Sequence, residues 1–266
     1  MSILLVFLAL GACAGLLAGL LGIGGGLVLV AALAWLLPNS GVPADAAMHA
    51  ALASSMGSIV LTAAASARAH HRRGSVMWPT VAWLVPGVLA GGLIGSRLAI
   101  GLDGQVLRWC VAVYCLVVAA QMLLGRRREA AAAAVVPRGA GLSVAGAGIG
   151  ALSAVVGIGG GSMTVPLLVW RGVEPVRAIG TSSATGIFIG TGGVLGYALQ
   201  APAGALPLPG SVGYVYLPAA LAVAVGSVLA APHGTRLAHA LSGESLKRVF
   251  AVFLVLVGTS FAYSAL

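Results

Sequence analysis

Long apolar stretches separated by short polar loops run through the whole chain. Stretches of about 20 apolar residues are long enough to cross the hydrocarbon core of a bilayer as helices. The pattern therefore predicts an all-α polytopic membrane protein. The first and the fifth stretches are too long for a simple crossing. The eight apolar segments are 3–37, 46–67, 78–99, 105–124, 139–170, 175–199, 212–231 and 246–265.

The two longest segments carry the same glycine-rich phrase near their middle. Leu20–Gly26 reads Leu-Leu-Gly-Ile-Gly-Gly-Gly, and Val155–Gly161 reads Val-Val-Gly-Ile-Gly-Gly-Gly. Glycine is costly inside a helix and adopts backbone angles that other residues avoid, so each cluster is expected to break its helix. A broken helix near the bilayer centre in each half of a duplicated chain indicates a transporter binding site.

The duplication extends beyond the glycines. His49–Ser55 aligns with Arg177–Ser183, and Ser96–Ala99 aligns with Thr235–Ala238, in the same order in both halves. The sequence therefore predicts two homologous repeats of about four apolar segments each, joined by a basic linker. The predicted boundaries are 1–125 for the first repeat, 126–138 for a cytoplasmic linker and 139–266 for the second repeat.

The charges of the loops favour repeats of opposite orientation. Loops 68–75 and 126–138 are rich in arginine, loop 200–211 carries no charge, and loop 232–248 is basic. Basic loops stay on the cytoplasmic side. If every segment crossed once, loop 200–211 would lie inside and loop 232–248 outside. This is the opposite of the arrangement that the loop charges favour. Inverted repeats reverse this, provided that the glycine-broken segments fold back as re-entrant hairpins packed within protein.

Composition restricts the class of protein further. Only 7% of the residues are charged, 60% are hydrophobic, and the net charge is +9. The arginines lie in short loops rather than on one basic face, so we expect the lipid bilayer and not a nucleic acid as partner. Cys13, Cys110 and Cys115 match no metal or redox motif. Leu10–Cys13 resembles a lipoprotein cleavage site, but no basic region precedes it, so we expect the N-terminus to be retained.

Three groups of residues around the glycine clusters are candidates for binding an anion. Helices that restart after the glycines expose backbone N–H groups and the positive end of a helix dipole. Hydroxyls follow in the next segment, and one cation lies about five residues before each hydroxyl group. The candidates are Gly22, Gly24, Gly25, Gly26, Gly157, Gly159, Gly160 and Gly161, with Ser54, Ser55, Thr181, Ser182 and Ser183, and with His49 and Arg177.

Acidic residues are missing from the apolar segments. All five acidic residues fall in loops or at segment ends. Carriers of protons and cations usually hold buried acids as ion sites, so their absence favours an anionic substrate. No Ser–His–acid or paired-aspartate constellation lies at membrane depth, so we expect no enzyme, no cofactor and no metal.

These motifs together resemble the TauE/SafE family of sulfite and organosulfonate exporters. The resemblance rests on the twin Gly-Ile-Gly-Gly-Gly phrases, the Ser-Ser motifs that follow them and the matched Ser/Thr-Arg-Leu-Ala phrases. It implies a multi-pass carrier of the bacterial inner membrane that exports small sulfur-containing anions, and its signature falls on the glycines and hydroxyls named above. The alignment places Ala53 opposite Thr181, which predicts two unequal half-sites.

The sequence leaves the mode and direction of transport and the oligomeric state open. An importer or an anion channel would show the same sequence features as an exporter. The glycine-rich face of Gly87, Gly91 and Gly95 could pack a homodimer or the interior of the bundle.

Overall fold

The protein is a bundle of helices, described here from a computed structural model. The structure describes residues 3–21, 25–124, 136–240 and 243–265. Within these ranges it contains a short 3-10 turn at Pro38–Ser40, ten α-helices and one small β-hairpin. The helices are α1 Ile3–Leu21, α2 Gly26–Leu36, α3 Ala47–Arg72, α4 Trp78–Ile100, α5 Gly104–Leu124, α6 Ala140–Val156, α7 Gly161–Trp170, α8 Pro175–Leu199, α9 Leu217–Ala240 and α10 Gly243–Ser264; the strands are β1 Ser211–Val212 and β2 Val215–Tyr216.

Each of the two overlong segments forms two helices rather than one. α1 and α6 have 19 and 17 residues, whereas α2 and α7 have 11 and 10. At 1.5 Å per residue the longer helices span roughly 26–28 Å and the shorter ones roughly 15–17 Å. The longer helix is thus close to the thickness of a bilayer core and the shorter helix is about half of it.

Two element boundaries differ from the prediction. α3 continues to Arg72, beyond the predicted end at residue 67, because the basic residues of its last turn suit the negative end of a helix dipole. Residues 211–216 form an antiparallel hairpin where an apolar helix was predicted, and α9 begins only at Leu217. The hairpin turn contains Gly213 at φ +57°, a conformation that favours glycine.

The helices of the two halves pack on each other reciprocally. α1 of the first half packs on α9 of the second half, and α6 of the second half packs on α4 of the first half. α3 packs against its counterpart α8, and α5 packs against its counterpart α10. Each of these pairs joins one helix from residues 1–125 with one helix from residues 139–266.

Small residues allow the reciprocal pairs to approach closely. A Cβ added to Gly87, Gly91 or Gly95 of α4 would meet backbone atoms of α6, and the Ser143 hydroxyl of α6 donates to the Trp83 carbonyl at 2.6 Å. In the other pair the Ser227 hydroxyl donates to the Gly11 carbonyl at 2.8 Å. The glycine face of α4 therefore packs inside the molecule, as is usual for small residues in membrane helices.

Four helices within the described ranges are long and apolar enough to cross a membrane. They are α3, α4, α5 and α8. The largest buried cluster joins residues of α2, α3, α5 and the second glycine segment, including Leu52, Val111 and Ile158. The glycine-broken segments are thus packed against the long helices.

Candidate functional site

The second glycine segment ends one helix and starts the next with left-handed glycines. Gly157 has φ +74°, and its N–H and that of Ile158 both donate to the Ser153 carbonyl, at 2.8 and 3.0 Å. This arrangement closes the end of α6 and favours glycine because a side chain is strained at positive φ. Gly160 has φ +70° and caps the start of α7. Two of the four glycines are therefore required by backbone conformation.

The first glycine segment is described only at its end. Gly25 caps α2, and its carbonyl accepts a hydrogen bond from the Leu29 N–H at 3.0 Å. Gly22 and Gly24 lie outside the described residues. α1 ends at Leu21, and α2 begins at Gly26 after the non-helical Gly25.

The two glycine segments meet inside the protein. A Cβ on Gly26 would lie 3.1 Å from the Ile158 Cα and 3.2 Å from the Gly157 oxygen, so a larger residue would press the two segments apart by a few tenths of an ångström. The Ser55 hydroxyl donates to the Gly157 carbonyl at 2.9 Å and lies 3.4 Å from the Gly26 carbonyl oxygen. We call this contact of Gly26, Ser55 and residues 157–161 the glycine junction. The structure thus unites predicted site residues from both halves.

Backbone donors are available on one side of the glycine junction. The Gly160 carbonyl accepts from the N–H groups of Met163 and Thr164, at 3.1 and 2.8 Å. The preceding amides, of Gly161 and Ser162, make no hydrogen bond to any described residue. Such amides at a helix start, together with the helix dipole, favour an anion.

Two hydroxyls that the sequence analysis missed lie beside these donors. Ser153 and Thr164 are fully buried, and their hydroxyl oxygens have no hydrogen-bond partner among the described residues. The Ser153 oxygen is 3.3 Å from the position of a Cβ on Gly160. A buried hydroxyl without a partner costs free energy, which a bound water or ligand would recover. The missed signal is their spacing, one helical turn before Gly157 and one turn after Gly160.

Two of the predicted hydroxyls bind backbone N–H groups that directly precede helices. The Ser54 oxygen accepts from the Tyr216 N–H, directly before α9, and the Thr181 oxygen accepts from the Met77 N–H, directly before α4, both at 3.0 Å. Ser54 and Thr181 thus play the same role in the two halves. The predicted match of Ala53 with Thr181, and the unequal half-sites inferred from it, stay predictions.

The neighbouring serines differ in their partners. Ser183 donates to the Ile179 carbonyl and accepts from the Ser66 hydroxyl, each at 3.0 Å, which joins α8 to α3. Ser182 is 4% exposed, and its hydroxyl makes no hydrogen bond to any described residue. Of the predicted hydroxyls, Ser182 is therefore the one that retains its full hydrogen-bonding capacity.

The two predicted cations lie near the starts of α3 and α8, away from the glycine junction. His49 is 6% exposed, and its Nε2 lies 3.1 Å from the carbonyl oxygens of both Ala99 and Leu102. Arg177 is half-buried in the first turn of α8. The described residues contain no group of three or more side chains that could hold a metal ion.

Known proteins resemble the chain over nearly its whole length. The family model described as Sulfite exporter TauE/SafE matches residues 7–261. A probable membrane transporter protein of Haemophilus influenzae is 35% identical over 261 residues, which cover 96% of this chain and 97% of the relative. No solved structure matches the chain significantly.

The matches and the apolar helices assign the chain to a class and a location. A full-length match to a transporter family, together with four membrane-length helices, identifies a multi-pass membrane transporter of the bacterial inner membrane. The family resemblance that the glycine and serine motifs predicted is confirmed. The chain belongs to the TauE/SafE sulfite exporter family.

Proposed function

We propose that this transporter moves small sulfur-containing anions, sulfite or organosulfonates such as sulfoacetate, and that it exports them by alternating access. The observation that carries the proposal is the glycine junction, where broken helices from both halves meet beside unpaired amides and hydroxyls. Transporter substrates bind where such discontinuous helices meet near the bilayer midplane.

The chemistry of the junction supports an anion. The free donors at the junction are the amides of Gly161 and Ser162, and the unpaired Ser153 hydroxyl lies beside Gly160. Two more unpaired hydroxyls, of Thr164 and Ser182, lie on the adjoining helices α7 and α8. A sulfite or sulfonate group presents three acceptor oxygens, which suit several donors at one point. Among the described residues, Asp45, Asp103 and Glu174 are exposed and lie between helices, and no carboxylate accepts a hydrogen bond from these amides.

The packing of the halves supports alternating access by inverted repeats. α3 packs on α8, and α5 packs on α10, as a two-fold axis between the halves would require. α1 and α6 each pack on a helix of the other half. Rocking of one half against the other would move the contact at the glycine junction, since both halves contribute to it. In this proposal α2 and α7 are re-entrant, and the loop charges set opposite orientations for the halves.

The proposal is tested with the purified protein in proteoliposomes. Flux of radiolabelled sulfite and sulfoacetate should saturate, and unlabelled anion on the far side should accelerate uptake of the label. Flux that rises without saturation and shows no counterflow would favour a channel, and a comparison of the two orientations distinguishes export from import.

A binding assay complements the flux assay. Sulfite, sulfoacetate, taurine, sulfate and acetate are compared for their effect on thermal unfolding in detergent. At one hundred times its Kd, a ligand stabilises the folded protein by about 2.7 kcal/mol. A shift with the sulfur anions, lost in the Ser182→Ala variant, supports the site; no shift with any anion argues against an anionic substrate.

A further inference from the structure

His49 is held in one tautomer by its surroundings. Its Nε2 lies 3.1 Å from the Ala99 oxygen and 3.1 Å from the Leu102 oxygen, at the turn between α4 and α5. Carbonyl oxygens only accept hydrogen bonds, so Nε2 must carry a proton and donate to both. The ring is 6% exposed, which places it inside the protein.

The other ring nitrogen of His49 makes no hydrogen bond to a described residue in this conformation. Nδ1 is buried and has no hydrogen-bond partner among the described residues. In the neutral ring with Nε2 protonated, Nδ1 is a bare lone pair that can accept a proton. Histidine is the side chain that ordinarily changes its charge between pH 5 and 8.

The His49 ring on α3 contacts both the β-hairpin and the turn between α4 and α5. The Tyr214 ring of the hairpin stacks on His49 with 4.9 Å between the ring centroids and 24° between the planes. The carbonyls come from the α4–α5 turn, and further along α3 the Ser55 hydroxyl enters the glycine junction. A change of protonation at His49 therefore acts on elements that also position the glycine junction.

The charged and titratable neighbours of His49 are few. On its own segment Asp45 is exposed, and its carboxylate accepts from the Ala46 N–H. On the hairpin, burial raises the pKa of Tyr214, and the charge of Asp45 adds to the rise. At the α4–α5 side, Asp103 is exposed, next to Leu102. Arg97 of α4 is exposed and Arg108 of α5 is half-buried.

We propose that His49 is a proton-binding site and that its Nδ1 takes up the proton that moves with the transported anion, an inference that rests on the proposed anion transport. A proton from water on one side forms an N–H bond with the Nδ1 lone pair and leaves to water on the other side. The new N–H has no acceptor in this conformation, so a rearrangement must supply one. Protonation thereby shifts the protein between conformations.

Proton binding is tested without any substrate. The chain has five histidines, and labelling them with ¹⁵N, with the His49→Gln variant as the assignment control, identifies the His49 ring signals in detergent. We expect an Nε2-protonated ring whose Nδ1 gains a proton as the pH is lowered. His49 signals that stay unchanged down to the lowest pH at which the protein stays folded would overturn the proton site.

The coupling of anion transport to proton movement is tested in proteoliposomes with sulfoacetate. The acidic groups of sulfoacetate stay ionised above pH 6, so the substrate itself carries no proton. An imposed pH gradient should drive accumulation by the wild type. His49→Gln keeps an amide that can donate to the carbonyls but binds no proton. We expect it to retain counterflow and to lose accumulation, whereas His71→Gln, at the exposed end of α3, should behave as the wild type.

The possible failures are distinguishable. Equal pH-driven accumulation by the wild type and His49→Gln would overturn the coupling role while leaving anion transport intact. No flux of sulfite or sulfoacetate in the wild type would overturn the proposed function and the coupling role with it. The ¹⁵N titration would then still decide whether His49 binds a proton.

Discussion

Replacement of Ser55 by alanine tests whether this hydroxyl ties the two glycine segments together. The side chain is fully buried, and its oxygen donates to the Gly157 carbonyl at 2.9 Å across the two halves of the protein. Ser58→Ala is a matched control in the same helix. Its hydroxyl is equally buried but donates to the Ser55 carbonyl at 2.7 Å, within one helical turn.

The expected magnitudes follow from what each change leaves behind. Ser55→Ala removes a donor from the carbonyl of Gly157, which lies outside regular helix. An orphaned buried group costs about 1–3 kcal/mol in general, and side-chain hydrogen bonds between membrane helices average about 0.6 kcal/mol with a maximum near 1.7. We therefore expect a loss of about 1–1.5 kcal/mol. Ser58→Ala should cost less than about 0.5 kcal/mol, because its hydroxyl only back-bonds to its own helix.

The assay is reversible unfolding in mixed detergent and denaturant, followed by circular dichroism. The free energies of unfolding of the two variants are compared with that of the wild type under one set of conditions. A cost for Ser55→Ala no greater than that for Ser58→Ala would refute the claim that Ser55 joins the segments.

Three further predictions address the glycines and the unpaired hydroxyls. Gly160→Val should abolish anion flux while leaving membrane insertion intact, whereas Gly74→Ala, at a similar φ of +68° but with open space around it, should retain flux in the same proteoliposome assay. Ser153→Ala should leave unfolding of the ligand-free protein unchanged within about 1 kcal/mol, because its hydroxyl is already unpaired, and it should reduce the thermal shift caused by sulfite; a full shift would contradict its role. Gly91→Val should destabilise the protein by several kcal/mol in the unfolding assay, because its Cβ would meet the Ala147 backbone; Gly148→Val, where nothing lies within 4 Å, is the control, and equal effects would contradict the close packing of α4 on α6.

Much of the fold could be predicted from hydrophobicity and glycine content. Continuous apolar stretches predicted the long helices, and the glycine clusters predicted the breaks between α1 and α2 and between α6 and α7. Boundaries in polar or mixed regions were harder. The hairpin at 211–216 was missed because its strands are only two residues long and its neighbours are apolar.

The site could be predicted only in part, because sequence gives spacing but no partners. Gly26, Gly157 and Ser55 do converge, but Ser54 and Thr181 accept hydrogen bonds from backbone N–H groups far along the chain. Such long-range partners leave no periodic signal. Ser153 and Thr164 were missed because a hydroxyl in an apolar helix usually bonds to its own backbone, whereas these two make no such bond among the described residues.

The most direct test of the central claim is to locate a bound anion. Selenite is the selenium analogue of sulfite, and its position can be found by anomalous scattering from crystals of the purified protein. We expect a selenium peak at the glycine junction, within hydrogen-bonding reach of the amides of Gly161 and Ser162. A selenium peak elsewhere in the protein, with none at the junction, would contradict it.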